Sequence, residues 1–221
     1  MKTVKSVLFS VLMLSTLFSN AQEVKEDKFS EVKVNLLFGM NQVLLNGFNS
    51  EVNLFYKRFV FDYSHGVSLN MDNGILDQAN QDLGLDVHIP WTTGFGVGYR
   101  FTEWFNLRAE PKWHKFELYN MGESQVEKNL LGDYTTFSIG IGAYANLQPF
   151  KKQENFLKGI MIVPSIRWWP RVTSSLENNE LEFFSKAQNK TVSHEAMEVG
   201  ISNTPFIVNL SIGYSFGWKK K

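Results

Sequence analysis

The feature that most constrains this chain is a period-two alternation of apolar with small or polar residues, repeated in eight segments. This period is typical of β-strands whose two faces meet different surroundings, and it differs from the 3.6-residue period of a helix. In the C-terminal segment, the clearest, one phase contains Phe206, Val208, Leu210, Ile212, Tyr214 and Phe216. The predicted strands are 31–41, 48–57, 58–66, 92–101, 105–118, 134–147, 158–171 and 204–217.

Two tight hairpins fix the register in the middle of the chain. A two-residue turn at 57–58 places Tyr56 opposite Phe59 with the apolar residues of both strands on one face. A three-residue turn at 102–104 likewise pairs Tyr99 with Leu107. The connections after strands three, five and seven are long, whereas those after strands two and four are short. Short turns at one end and long loops at the other predict an eight-stranded antiparallel up-and-down transmembrane β-barrel.

From residue 31 onward the chain resembles the small eight-stranded outer-membrane barrels of Gram-negative bacteria, of the outer-membrane protein A and X type. The closing strand, Phe206 to Trp218, ends Tyr214-Ser215-Phe216-Gly217-Trp218 and resembles the C-terminal signal by which such barrels are recognised for assembly. It departs from that signal because three lysines, residues 219–221, follow the last aromatic residue. The resemblance implies an outer-membrane location, contact with outer-membrane lipids and passage through the barrel-assembly machinery.

The residues opposite each other in the second hairpin indicate which face is the interior. Gly98, Gly96 and Gly94 come opposite Arg108, Glu110 and Lys112. Glycine weakens a strand, but in a narrow lumen it leaves room for a long charged side chain. The apolar face then points to lipid, with aromatic residues near both strand ends. A soluble, secreted, lipocalin-like barrel that binds a small hydrophobic ligand would reverse the two faces and stays the alternative.

Two sets of side chains follow from this orientation. The predicted lumen charges are Lys33, Glu51, Asp62, Arg108, Glu110, Lys112 and Arg167. The predicted interfacial aromatics are Tyr56, Phe59, Tyr63, Trp104, Trp113, Trp168 and Trp218. Opposite charges in a confined space favour pairing, and side chains fill an eight-stranded barrel. We therefore expect a plugged interior and no diffusion pore.

The N-terminus predicts export. Lys2 and Lys5 precede an apolar run from Val7 to Phe18, and small residues follow up to Ala21. This is typical of a cleaved secretory signal, and the run is shorter than the roughly 20 residues of a spanning helix. The predicted organisation is a signal peptide at 1–21, a periplasmic tail at 22–30, a barrel at 31–218 and a basic tail at 219–221.

Composition excludes several kinds of protein. The 22 basic and 22 acidic residues balance, so we expect no nucleic-acid partner. The chain has no cysteine, which rules out disulfides and thiolate sites. The four histidines are expected in long loops or at outer strand ends, without the spacing of a metal site. No cofactor, metal or catalytic residue is predicted.

The expected role is non-enzymatic, in envelope structure or in contact with a surface partner through the long loops. Those loops carry twelve Asp or Glu and three Lys, which suggests a solvated surface or one that meets cations or partners. A lipid-modifying barrel enzyme, like the lipid A deacylase or palmitoyltransferase families, is the alternative. Such an enzyme needs a serine and a histidine together with an acid. The only adjacent Ser/His pairs in this chain are Ser64-His65 and Ser193-His194, and the sequence assigns no acid to either.

Overall fold

The structure is a computed structural model that describes Phe29, residues 31–71 and residues 74–219. Its strands are β1 (Glu31–Gly39), β2 (Phe48–Tyr56), β3 (Phe59–Met71), β4 (Leu85–Arg100), β5 (Phe105–Asn120), β6 (Leu130–Ala145), β7 (Ile160–Trp168), β8 (Arg171–Ser174), β9 (Glu180–Ser185), β10 (Lys190–Glu195) and β11 (Phe206–Lys219). Two short helices are α1 (Met40–Leu44) and α2 (Gln78–Asp82). Single 3-10 turns occupy Glu127–Asn129, Phe156–Gly159 and Glu177–Asn179.

Eight of these strands close into a ring. Each of β1 to β6 is paired antiparallel with the strand that follows it, β7 pairs with β11, and β11 returns to β1. The predicted fold class, an eight-stranded antiparallel up-and-down barrel, is confirmed. The predicted registers are also found, with Tyr56 opposite Phe59 and Tyr99 opposite Leu107. We call the end with these two tight turns the turn end, and the opposite end the cap end.

Several predicted strand limits are wrong. Strand four begins at Leu85 instead of residue 92, and strand six at Leu130 instead of residue 134. The first strand ends at Gly39, where α1 begins. The seventh ends at Trp168 instead of residue 171, and the chain resumes as β8 at Arg171. The segments 67–91 and 172–203, predicted as polar loops, contain the outer parts of β3 and β4 and the strands β8, β9 and β10.

A change in the phase of the alternation explains why the outer parts of β3 and β4 were not predicted as strand. In β3 both Val67 and Ser68 are exposed, and Leu69 is buried, so the inward face passes from even to odd residues. Ser68 has a positive φ of 59°. In β4 the register to β5 slips by one residue between His88 and Thr92, which has the same effect. Such bulges break the period of two on which strand prediction depends.

Beyond the phase change the strands enclose an apolar core. It contains Leu69, Met71, Leu76, Leu85, Val87, Ile89, Phe116, Leu118, Tyr134, Phe183, Ala196 and Met197. The β9–β10 hairpin forms a separate two-stranded sheet that contributes Phe183 to this core. We call this part of the molecule, residues 69–71, 74–89, 116–135 and 176–203, the cap. Its core is apolar and its surface polar, as in a water-soluble domain.

Candidate functional site

Arg108 lies at the centre of the barrel interior. Its Nη1 lies 2.6 Å from Oε1 of Glu51 and 3.3 Å from Oδ2 of Asp62. Arg167 approaches the other oxygen of Glu51 at 3.5 Å. All four residues are buried. Buried charges are tolerated when they are paired and hydrogen-bonded in this way. The charges come from four different strands, β2, β3, β5 and β7, and so link opposite sides of the ring.

Glu110 lies in the same interior and accepts hydrogen bonds from two aromatic side chains. The Tyr144 hydroxyl donates to Oε1 at 2.5 Å, and the Trp169 indole N–H donates to Oε2 at 3.0 Å. The guanidinium carbon of Arg108 lies 3.8 Å from the centre of the Tyr144 ring, and that of Arg167 lies 5.0 Å from it. The arginines therefore stack on the ring that donates to the carboxylate, an arrangement that suits delocalised cations.

The two predicted lumen lysines have different surroundings. Lys112 is buried, donates to the Ser64 hydroxyl and lies 5.1 Å from the centre of the Trp169 ring. Lys33 lies near the turn end and pairs with Glu31 at 3.4 Å. Six of the seven predicted residues thus share the interior around Arg108, and Lys33 stands apart from them. We call those six, Glu51, Asp62, Arg108, Glu110, Lys112 and Arg167, the lumen cluster.

Inward-facing glycines make room for the lumen cluster. A Cβ atom on Gly96 would overlap the carboxylate of Asp62. One on Gly140 would overlap the Trp169 ring and the carbonyl oxygen of Trp168. Any larger residue at these positions would displace a side chain of the cluster or the backbone beside it. The glycines of β4 and β6 therefore set how closely the interior side chains pack.

The outward face of the ring is apolar, and all seven predicted interfacial aromatics point outward. Six are exposed, namely Tyr56, Phe59, Tyr63, Trp104, Trp168 and Trp218. Trp113 is half-buried because its ring lies 6.2 Å from Phe95 and 4.9 Å from Phe137. Tyr56, Phe59 and Trp104 are at the turn end, whereas Tyr63 and Trp113 lie toward the cap end.

The two adjacent Ser/His pairs are split by the geometry of a strand, in which successive side chains point to opposite faces. Ser64 faces inward and accepts a hydrogen bond from Lys112, whereas His65 is partly exposed on the other face. Ser193 donates to Glu180 at 3.0 Å on the cap surface, whereas His194 is buried below it. All four histidines lie within strands, as expected for His65 and His114 but not for His88 and His194, which were expected in loops, and His114 is fully buried in the lumen.

His194 belongs to a hydrogen-bonded chain through the cap. The Met197 N–H donates to the Tyr134 hydroxyl at 3.1 Å, and that hydroxyl lies 3.0 Å from Nε2 of His194. Nδ1 of His194 lies 2.9 Å from Oδ1 of Asn80, whose amide donates to Asp77 at 2.5 Å. The neutral imidazole protonated at Nδ1 satisfies every contact. Burial lowers the pKa of His194 to about 4 and raises that of Tyr134, which favours this neutral form.

Three interior or end residues were missed from the sequence. Tyr144 and Trp169 complete the lumen cluster, and Phe29 is buried beneath Arg58 and Arg100, with ring-centre distances of 4.4 and 4.9 Å. Tyr144 stands in the inward phase of β6, so its position was readable from the alternation. Trp169 continues the inward odd phase of β7, after Val163, Ser165 and Arg167, so its position was readable in the same way. Residues 1–28, with the predicted signal peptide and most of the predicted tail, lie outside the described residues.

Neither a metal site nor a membrane-spanning helix is found in the described part of the chain. Among the described residues, no group of three or more His, Cys, Asp or Glu side chains is arranged to hold a metal ion. Within the same part of the chain, none of the helices has the length and apolar content needed to cross a membrane.

Known proteins resemble the chain in structure. No family model matches the sequence, and no curated protein matches it either. The N-terminal β-barrel domain of Pseudomonas aeruginosa OprF is 11% identical over 85% of this chain and 98% of its own, with a TM-score of 0.41. Ail, the attachment invasion locus protein of Yersinia pestis, is 12% identical over 84% of this chain and 97% of its own, with a TM-score of 0.38. At this identity the likeness concerns the fold alone.

Proposed function

We propose that the protein spans the outer membrane of a Gram-negative bacterium as a closed barrel, after export and signal cleavage near Ala21. The observation that carries this is the reversal of the usual burial pattern within the ring. Charged side chains such as Arg108 and Lys112 are buried inside, whereas Ile141 and Ile166 are 57% and 62% exposed outside. Only a surrounding of lipid makes a continuous outward apolar band favourable.

The barrel interior supports a structural role over a transport role. Arg108, Arg167, Tyr144 and Trp169 pack against one another around Glu110, at the distances given above. A lumen filled in this way leaves no path for a hydrated solute, as expected for eight strands. We therefore propose a plugged barrel that stabilises the envelope and presents the cap to a surface partner.

The charges at the two ends support an orientation with the cap outside the cell. The turn end carries Lys151, Lys152 and Lys158, of which Lys151 pairs with Glu103. These lysines are suited to the anionic head groups of the inner leaflet. The cap carries the acidic residues of the long segments. Outer-membrane lipids and, during biogenesis, the barrel-assembly machinery are the partners that this proposal requires.

Two matched substitutions test the membrane assignment. Ile141→Lys places a charge at the middle of the outward band, and Phe184→Lys places one on the cap, where Phe184 is 52% exposed. In lipid vesicles the first variant should lose about 2–4 kcal/mol of unfolding free energy. The second should lose less than about 0.5 kcal/mol, because it replaces a water-exposed side chain. Urea titration followed by tryptophan fluorescence measures both.

Fractionation of cells gives the second test. The native chain should be recovered in the outer-membrane fraction and should change its electrophoretic mobility when it is boiled in detergent. Recovery in the soluble fraction, together with equal stability of the two lysine variants, would overturn the proposal. The outward face would then be a water-exposed surface, and a soluble barrel with a different role would replace it.

A further inference from the structure

Three side chains from neighbouring strands line up on the outward face at the base of the cap. Nε2 of His88 in β4 lies 3.5 Å from the Ser68 hydroxyl in β3. Nδ1 of the same ring lies 3.0 Å from Oε2 of Glu117 in β5. The cross-strand register holds them together, because His88 is paired with Asn70 on one side and with Glu117 on the other.

The imidazole has the orientation that a serine nucleophile requires. With the proton on Nδ1, His88 donates to the Glu117 carboxylate, and its Nε2 lone pair faces the Ser68 hydroxyl. The serine contact is longer than the roughly 2.6–3.2 Å of a formed bond, as is common before substrate binds. Tyr119 donates to Oε2 of Glu117 at 3.1 Å and fixes the carboxylate.

The backbone at Ser68 is an independent sign of a special position. Ser68 has a φ of 59° and is exposed. Of the eight non-glycine residues with positive φ in the described part of the chain, five are asparagine, which tolerates this conformation better than serine does. The bulge accounts for the conformation but not for the choice of serine. Strained residues of this kind are concentrated at functional sites.

The surroundings indicate the kind of substrate. Val67, next to Ser68, is 37% exposed and pairs with Trp91. Two residues further along β4, Thr93 pairs with Trp113 of the cap-end aromatic group. Ser68 therefore lies just outside the band that we assign to lipid, at the level where acyl chains join their head groups. We propose that Ser68 and His88, positioned by Glu117, form an esterase site for acyl esters of amphiphiles in the outer leaflet.

The reaction uses water as its co-reactant. His88 takes the Ser68 proton as Oγ attacks the ester carbonyl, and the tetrahedral oxyanion collapses to an acyl-serine. The departing alcohol receives that proton from His88. Water, deprotonated by His88, then attacks the acyl-serine, and the proton returns to Ser68 as the carboxylic acid is released. One ester and one water give one alcohol and one carboxylic acid, and Ser68 is regenerated.

Covalent labelling tests the nucleophile directly. The folded full chain, in detergent, is treated with a fluorophosphonate probe and the modified residue is found by peptide mass spectrometry. We expect Ser68 to be labelled, labelling to be abolished in Ser68→Ala, and its rate to fall at least about 100-fold in His88→Gln. Ser193→Ala, which removes the Glu180-bonded serine, should label like the native chain. Each variant is first shown to be folded by its heat-dependent mobility.

Glu117 is a positioning residue and has its own readout. In Glu117→Gln, kcat for a p-nitrophenyl ester should fall about 10-fold or more at unchanged KM, since only His88 orientation is lost. Glu117→Asp should recover part of kcat. Labelling of Ser68 no faster than in boiled protein, or labelling unaffected by His88→Gln in a folded chain, would overturn the site.

The assignment of a lipid substrate rests on the proposed membrane location. Failure of the substrate assignment can be distinguished from failure of the membrane location. Vesicles of phosphatidylglycerol and vesicles containing an acylated glycolipid are supplied separately, and released fatty acid is measured. Release of fatty acid from either type of vesicle by the native chain, but not by Ser68→Ala, supports an amphiphile as the substrate and identifies which of the two lipids supplies it. Labelled Ser68 with no release from either overturns the amphiphile assignment even in a chain that fractionates with the outer membrane. Recovery in the soluble fraction would instead be the failure of the membrane proposal.

Discussion

The barrel and the cap share the strands β3 to β6 but have opposite interiors. Along β5 the even residues face inward throughout, and they change from Arg108, Glu110 and Lys112 in the barrel to Phe116 and Leu118 in the cap. The backbone pairing is continuous across this change, since β5 is paired with β6 on both sides of it. The same strand geometry therefore encloses charged side chains in one region and apolar side chains in the other, which fits the proposed location of the barrel in lipid and of the cap in water.

The largest loss of stability is expected from a substitution in the barrel interior. Arg108→Leu leaves Glu51 and Asp62 buried without their nearest cation, which should cost about 3–5 kcal/mol of unfolding free energy. The control Lys186→Leu removes the exposed ion pair to Glu123 and should have little effect on stability, because water screens the interaction. Urea unfolding in vesicles measures both. Equal effects would mean that the interior charges do not stabilise the barrel.

On the cap side, a smaller and more local effect is expected. Leu118→Ala removes a fully buried side chain from the apolar core and should cost about 3 kcal/mol. Amide hydrogen exchange should speed up in β9 and β10 while the barrel strands keep their protection. The control Leu107→Ala, on the outward face of the same strand, should cost less than about 1 kcal/mol, because lipid can fill the space. Uniform exchange changes would mean that cap and barrel unfold as one unit.

Acid should separate the two regions further. The pKa of buried His194, about 4, lies below its ordinary value of about 6.5, so the unfolded cap binds a proton that the folded cap does not. Cap stability is therefore unaffected above about pH 6.5 and falls by about 2 kcal/mol on going from pH 7 to about pH 5. Asp77 and Glu195 moderate this loss and Arg171 adds to it. Exchange in β10 at several pH values measures the effect, and His194→Gln should flatten the profile.

The smallest effect is expected at the junction between the regions. Ser68→Asn keeps the bulge but places there a residue that tolerates positive φ, which should raise unfolding free energy by about 0.5 kcal/mol. Ser193→Asn, in the extended strand β10, should give no such gain. A thermal unfolding series detects the difference. A gain in stability together with loss of labelling at residue 68 would be the trade-off expected where serine is retained for chemistry.

The sequence predicted the barrel well because one physical rule, inward and outward alternation, held along it. The turns at 57–58 and 102–104 set the register, and the glycines opposite Arg108 and Lys112 indicated the lumen. The cap was not predicted because the bulges at Ser68 and near His88 shift the phase of the alternation. Ser68, His88 and Glu117 are far apart in the sequence, and only the pairing of three strands brings them together. Trp169 lies in the inward phase after Arg167 and was missed because the predicted lumen set comprised charged residues only.

The pairing of β5 with β6, which runs from the turn end into the cap with one register shift after Leu118, has a mechanical consequence. Each strand has sixteen residues and is about 50 Å long, reaching from the turns at one end into the cap at the other. A surface partner that pulls on this part of the cap loads the hydrogen bonds of the pair along the strand direction, where many of them share the force. In the proposed membrane-anchored barrel, the cap would act as a rigid extension of the barrel, and a pull from outside the cell would be transmitted to the envelope.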